Sequence, residues 1–399
     1  MSLTQRELDE FRREFSAWLT ANRPKADFLL PQTFMEVGEE RQLEVMRDWQ
    51  RKVYEAGYLG MSWPEMYGGR GQPQALQDIV TDEMERQRQP VLFNAIGLNW
   101  TGPLLLEFGD HAMKSRYVKR ILTAEDIWCQ GFSEPDNGSD LGAATTRAVR
   151  DGDSYVVNGS KIWTTLAPFA DHMILLARTD PEAPRHSGLS FFLSPMKIDG
   201  VSVTPLRKIT GEYGFAQVFF TDARIPVECR LGDEGQGWRM AMRTLAYERG
   251  AEGGQAGGVT MNYFDRVADL VDLARRTKVD GAPAIEDPLV RDAIVGFAID
   301  EIGYGLAVKR EAIPALNSRP GGISLMGKLA QTELGIDIAR YSTELLGQRA
   351  ALYVGDPGAV DNGKWIRNYM NRFSATIGGG TSEIQRNIIA ERVLGLPKG

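Results

Sequence analysis

The feature that most limits what this chain can fold into is a change of hydrophobic period, from about 3.6 residues to 2 and back again. Up to about residue 124, apolar side chains recur at helical spacing, as in Phe11, Phe15 and Trp18 and again in Leu43, Met46, Trp49 and Val53. The stretch Gly60-Met-Ser-Trp-Pro-Glu-Met-Tyr-Gly-Gly-Arg-Gly71 breaks this pattern and reads as a loop, because glycine and proline punctuate it. Helical spacing resumes through Gln77 to Gln87 and through Pro103 to Leu122. From about 125 to 232 the alternation is strand-like. Ser154-Tyr-Val-Val-Asn-Gly-Ser-Lys-Ile-Trp163 places two β-rich runs around Asn158-Gly159, a hairpin signal. His172–Arg178, Gly188–Leu193 and Ala216–Thr221 add short strands, enough for a small barrel or sandwich. After Gly237 the chain is helical almost to its end, with apolar faces over 238–277, 288–316, 323–349, 361–373 and 381–394.

The expectation is an α+β multidomain protein. It comprises an N-terminal all-helical domain (1–124), a middle β domain (125–235) and a C-terminal four-helix bundle (236–399). The run Gly250-Ala-Glu-Gly-Gly-Gln-Ala-Gly-Gly258 falls inside one expected helix. Each interior glycine costs a helix about 1 kcal/mol, so the run implies close approach by another helix or by a ligand.

With 43% hydrophobic residues in 399, the chain can bury a large core. No apolar run approaches the roughly 18 residues that span a bilayer. The N-terminal MSLTQRELDEFRREF lacks the apolar centre of a secretion signal. Two cysteines, Cys129 and Cys229, make no disulfide framework and fit a reducing cytoplasm. A net charge of −7 argues against a nucleic-acid or anionic-membrane surface. No residue pattern calls for a metal.

Two motifs carry chemistry. Cys129-Gln-Gly-Phe-Ser-Glu-Pro-Asp-Asn-Gly-Ser-Asp140 is a tight, glycine-relieved loop that offers backbone N–H groups and hydroxyls to a polar ring or a phosphate. Lys161-Ile-Trp-Thr-Thr165 follows, with an indole able to cover a flat aromatic ligand. Together they resemble the acyl-CoA dehydrogenase family, whose middle domain carries a [TS]-E-P-x-x-G-S-D loop and a later K-x-W-x-T strand. Trp63-Pro-Glu-Met-Tyr-Gly-Gly-Arg-Gly71 is similar to that family's W-P-x-x-Y-G-G-x-G loop. Gly380-Thr-Ser-Glu-Ile-Gln-Arg386 and Ala390-Glu-Arg-Val-Leu-Gly395 are similar to its C-terminal signature.

The resemblance covers the whole chain and implies an FAD enzyme that introduces a double bond α,β to an acyl-CoA thioester. A carboxylate removes the α-proton, the β-hydride goes to the flavin, and electron-transfer flavoprotein is the acceptor. By position, Gln130, Phe132, Ser133, Gly138 and Ser139 become flavin contacts, with Trp163 and Thr165 along the ring. Thr381, Glu383 and Gly347 follow from the C-terminal part, and Ser139, Arg249 and Gly380 fall on the substrate side. Glu383 stands where the family often has glutamine, and an acid would repel a phosphate. Members also reach a neighbouring subunit's FAD through R-x-x-F-G. Here the region reads Arg275-Arg-Thr-Lys-Val-Asp-Gly281, and Arg276 is the nearest counterpart. The resemblance implies a homotetramer or an α2β2 heterotetramer.

Commonly the family's base is a glutamate directly before the glycine of its C-terminal motif, where this chain has Gly379. Glycine cannot take a proton. A subset of the family instead carries the base on a bundle helix in the pattern x-E-R, and Leu245-Ala-Tyr-Glu-Arg-Gly-Ala251 places Glu248 there. Its helix face is apolar or small, which suits a base of raised pKa. Gly379 keeps the backbone N–H that the family uses at the thioester oxygen, so an oxyanion site survives. The glycines also widen the pocket for a bulky or branched acyl group. The Gln130 loop, the Tyr-Glu-Arg-Gly helix and the altered 275–281 segment are similar to bacterial members that degrade steroid side chains. Two other readings fit the same fold: a flavin-dependent monooxygenase or nitroalkane-type oxidase, of which the monooxygenases need no such glutamate, and a non-catalytic subunit.

Overall fold

The computed structural model describes residues 3–28, 30–31, 33–248, 266–311, 313–316 and 322–398. They fall into two compact units, Met1–Tyr263 and Phe264–Gly399.

The first unit opens with helices α1 (Gln5–Asn22), α2 (Glu40–Glu55), α3 (Gln74–Arg86), α4 (Gly102–Phe108) and α5 (His111–Leu122). Helix α1 starts at a capping box: Thr4 Oγ1 accepts from Glu7 N, and the Glu7 carboxylate accepts from Thr4 N. The three aromatics spaced along α1 stack on one another at 6.3 and 6.2 Å, and Trp18 continues the stack onto Trp49 of α2 at 5.7 Å. The 60–71 segment is a loop, as its glycines and proline require. Its Trp63 is fully buried and lies against Gly102, where α4 begins. A five-residue π-turn, Gly97–Thr101, leads into α4.

The chain then forms one mixed eight-stranded sheet. Its strands are β1 (Trp128–Gly131), β2 (Arg147–Asp151), β3 (Ser154–Thr165), β4 (His172–Arg178), β5 (Leu189–Pro195), β6 (Val201–Leu206), β7 (Phe215–Pro226) and β8 (Arg230–Leu231). The order is β6-β7-β3-β2-β4-β5-β8, with β1 also paired to β4. Strands β1 and β4 run parallel, whereas β3 and β7 are a long antiparallel pair.

The hairpin expected at Asn158-Gly159 does not occur. Strand β3 runs straight through these residues, and the turn lies earlier, at left-handed Gly152 between β2 and β3. The reason is β7, which pairs with β3 on both sides of Asn158 and absorbs the Asn-Gly as a register shift between Val157 and Gly159. The Asn158 side chain stitches that shift, exchanging hydrogen bonds with Asp222. Helix α6 (Gly237–Glu248) follows the sheet and packs against β5. The expected helix over 238–277 is thus described as α6 and, in the second unit, α7 (Val267–Arg276). The glycine-rich run 250–258 lies outside the described residues.

After α7, the second unit holds a small hairpin of β9 (Lys278–Val279) and β10 (Ala282–Pro283). Helices α8 (Pro288–Glu311), α9 (Gly322–Leu346), α10 (Lys364–Ile377) and α11 (Ser382–Ile388) complete it. Asp280-Gly281 forms the tip of the hairpin with both residues left-handed, as a type I′ turn demands. This hairpin takes up the altered 275–281 segment just after Arg276. Helices α7, α8, α9 and α10 pack around Leu270, Leu273, Ile338 and Trp365. Among the described residues no helix is long and apolar enough to cross a membrane.

Candidate active site

The two middle-domain motifs are one object. Glu134, from the Ser-Glu-Pro turn after β1, meets Lys161 of β3 in a fully buried ion pair at 2.7 Å. Lys161 also donates to the Phe132 carbonyl at 3.2 Å, and Ile162 N donates to the Ser133 carbonyl at 2.9 Å. The other acceptor positions of the carboxylate take Thr145 N, Thr145 Oγ1 and Thr146 N. Burial alone would raise the Glu134 pKa, but the Lys161 charge and these hydrogen bonds outweigh it and hold the group at about 2. For Lys161 burial wins and its pKa is lowered. The signal for the pair in the sequence is slight: a glutamate next to Ser133 and a lysine two residues before Trp163.

This clasp displays Trp163. The residue has φ +58°, a left-handed conformation that a bulky side chain adopts only under constraint. It sits inside the register shift between Lys161 and Thr164, and its ring is 61% exposed, edge-on to Phe215. A large aromatic held in a strained backbone and turned outward is unusual for a residue with no ligand to cover.

Gln130, on β1, keeps its Oε1 buried with no hydrogen-bond partner. Such an atom costs about 1–3 kcal/mol unless something donates to it. The ring N3–H of a flavin is a suitable donor, so the residues present fit the group that the motifs imply. Ser133 is half-buried, and Gly138 and Ser139 are exposed on the loop that follows. Thr165 pairs with Phe215 at the end of β3. The Phe132 ring is in the core, edge-on to Phe191 at 5.8 Å, and its carbonyl is held by Lys161. Asp140, which closes the loop, pairs with Arg185.

Glu248 is the last described residue of α6 and is half-buried. Arg249 lies outside the described residues. Just before Glu248, the buried Tyr247 donates its hydroxyl to Glu107 of α4, and Arg243 Nε donates to the same carboxylate oxygen at 2.7 Å. Burial and the Glu107 acceptor raise Tyr247 to about 12. Burial would raise Glu107, but the Tyr247 hydroxyl and Arg243 outweigh it and hold it below the ordinary carboxylate value. Glu107 is 140 positions from Tyr247, so no sequence pattern could have linked them.

In the second unit, Gly379 and Gly380 have φ +68° and +96°. A side chain there would cost roughly 1–2 kcal/mol, so the glycines serve the backbone as well as any pocket. Gln385 Nε2 donates to the Gly379 carbonyl at 2.9 Å, and Lys328 Nζ to that of Gly380 at 2.7 Å. Neither contact was foreseen. Thr381 Oγ1 caps α11 by accepting from Ile384 N. Glu383 is lowered by its own backbone N–H and then by the Thr381 hydroxyl, so its carboxylate is folded onto the start of α11. Gly347 is left-handed just after α9. Arg276 makes a two-pronged contact with Asp361 of its own chain, at 2.9 and 2.8 Å, and Asp361 also accepts from Trp365 Nε1.

Three family models match the chain in sequence: the acyl-CoA dehydrogenase N-terminal domain over 27–125, the middle domain over 129–223 and the C-terminal domain over 235–394. Acyl-CoA dehydrogenase IpdE1 of Mycobacterium tuberculosis is 36% identical over 397 residues, covering 98% of both chains. Human mitochondrial short-chain specific acyl-CoA dehydrogenase is 32% identical over 86% of this chain and 82% of its own. Among solved structures, the Tcur3481-Tcur3483 steroid ACAD matches with a TM-score of 0.80 and 31% identity over the whole of both chains. The ChsE4-ChsE5 complex from Mycobacterium tuberculosis matches with 0.79 and 30%, again over the whole of both chains. The chain belongs to the acyl-CoA dehydrogenase family.

Proposed function

We propose that this protein is an FAD-dependent acyl-CoA dehydrogenase that converts a bulky, branched or steroid-side-chain acyl-CoA to its trans-2-enoyl-CoA. The observation that carries the proposal is the outward-turned, strained Trp163 on the Glu134–Lys161 clasp, and the unsatisfied Gln130 Oε1 supports it. Bound FAD supplies the hydride acceptor. Gln130, Ser133, Gly138, Ser139 and Thr165 hold it through polar contacts, Phe132 through its backbone, and Trp163 covers the ring; Gly347, Thr381 and Glu383 are proposed contacts from the C-terminal part. On the substrate side, Ser139, Arg249 and Gly380 meet the acyl-CoA. Glu248 removes the α-proton, and the N–H of Gly379 donates to the thioester oxygen. The steroid relatives' names support the bulky acyl group.

The enzyme works in the cytoplasm, passes its electrons to electron-transfer flavoprotein and functions as an assembly of like-folded subunits. Arg276 serves the cofactor of a neighbouring subunit in that assembly when it is released from Asp361. The α8 stripe Val295, Ile299, Ile302 and Leu306, every member more than half exposed, supports the assembly.

The test is the Glu248→Gln variant mixed anaerobically with acyl-CoA substrates. It should retain FAD and ligand binding yet reduce its flavin at least about 10²-fold more slowly. Wild-type reduction rates in that variant would remove Glu248 as the base. A purified wild-type protein without FAD would remove the reading as a whole.

A further inference from the structure

We propose that Glu107, Arg243 and Tyr247 are positioning residues that set the direction of the Glu248 carboxylate; the proposal rests on Glu248 being the base. Three successive turns of α6 are fastened to the end of α4. The Arg239 guanidinium lies 5.2 Å over the Phe108 ring, Arg243 Nε donates to Glu107 at 2.7 Å, and the Tyr247 hydroxyl donates to that same carboxylate oxygen. Arg243 also lies 4.6 Å over the Tyr247 ring and donates to its hydroxyl at 3.1 Å. Residues 239, 243 and 247 are four apart and form one stripe, so fastening them fixes the rotation of the helix about its axis.

Glu248 is one residue further, about 100° around from that stripe. It shares a face with Ala241 and Thr244, both fully buried. Any rotation of the last turn therefore carries Glu248 sideways, and a 1 Å displacement of a catalytic group can cost on the order of 10²-fold in rate. The network adds little to stability by charge alone, because the Glu107–Arg243 pair is about one-third exposed on each side. Tyr247 is different: its ring is buried at 3% exposure, so Tyr247→Phe removes the hydrogen bond and keeps the packing.

The experiment compares Tyr247→Phe, Glu107→Ala, Glu107→Gln and Glu248→Gln as FAD-loaded proteins. Each is mixed anaerobically with a panel of butyryl-, isovaleryl-, octanoyl- and steroid-side-chain acyl-CoA. Flavin reduction at saturation, the Kd of a non-reducing acyl-CoA thioether, melting temperature and amide exchange over 240–248 are read for each. Tyr247→Phe and Glu107→Ala should slow reduction at least about 10-fold, with Kd unchanged within about twofold. They should also exchange faster at the end of α6. Glu107→Gln, which still accepts from the tyrosine, should recover most of the rate. Wild-type rates in Tyr247→Phe and Glu107→Ala alongside a slow Glu248→Gln overturn this inference and leave the base assignment standing. Loss of rate, Kd and melting temperature together overturns it as well, in favour of a structural role. A fast Glu248→Gln, or no reduction of wild-type flavin by any panel member, overturns the base assignment and this inference with it.

Discussion

Lys161 is a cation with no access to water, and its neighbour Glu134 is almost equally enclosed. Replacing such a pair by apolar residues is often tolerated, whereas removing one partner leaves a bare buried charge and costs about 3–5 kcal/mol. Lys161→Met should therefore lower stability by roughly that much, measured as a drop in urea midpoint. It should also release FAD, because the Phe132 carbonyl and the Glu134 carboxylate lose the ammonium that anchors the turn. The pH dependence has a definite sign. Glu134 has its ordinary value of 4.5 lowered to about 2 in the fold. Its contribution is thus complete above about 4.5 and is lost as the pH falls toward 2. Acid unfolding should begin in that window and be shallower in a Glu134→Gln variant. Trp163 separates function from stability. Trp163→Gly relieves a left-handed backbone and removes an exposed ring, so stability should stay within about 1 kcal/mol. FAD affinity should fall clearly, as flavin fluorescence on titration would report; retention of wild-type affinity would remove Trp163 from the ring contacts.

At the scale of elements, periodicity in the sequence was a good guide wherever one face of a helix is buried. The Phe11, Phe15 and Trp18 spacing marked the helix α1, and the glycines and proline of 60–71 marked a loop. Asn158-Gly159 misled because a dipeptide signal reports what the backbone permits, while the pairing of β7 decides what it does. The converse case is Asp280-Gly281, where no long partner strand competes and the turn forms. The motifs marked Trp163 and Gln130, yet the contacts that hold them, and the Glu107–Tyr247 link, are long-range and leave no local pattern. Gly102 carries a further prediction. A Cβ there would lie 2.0 Å from the Trp63 indole, which is buried and has nowhere to retreat. Although alanine favours helix, Gly102→Ala should destabilise the protein by about 1–3 kcal/mol or more. A melting temperature at or above wild type would mean that the loop can shift.

At the scale of the whole molecule, the question is what covers α8. Val295, Ile299, Ile302 and Leu306 recur at intervals of four, three and four residues along its outer face, and each is more than half exposed. A stripe with this spacing is what one helix offers to another. The nearby Gly296 and Gly303 would meet nothing within 4 Å if given a Cβ, so a partner has room to approach closely. The proposed occupant is a second subunit of this fold, identical or paralogous. Introducing Ile299→Asp and Ile302→Asp together would bury two unpaired carboxylates at that contact, at a cost of several kcal/mol. The two positions are solvated in the separate chain, so folding should be unaffected. Light scattering after size exclusion should show the wild type as a multimer and the double variant as a smaller species with unchanged circular dichroism. A variant that keeps the wild-type mass would show that α8 is not the contact, and a wild type that runs as a monomer with its flavin retained would show that no assembly is needed.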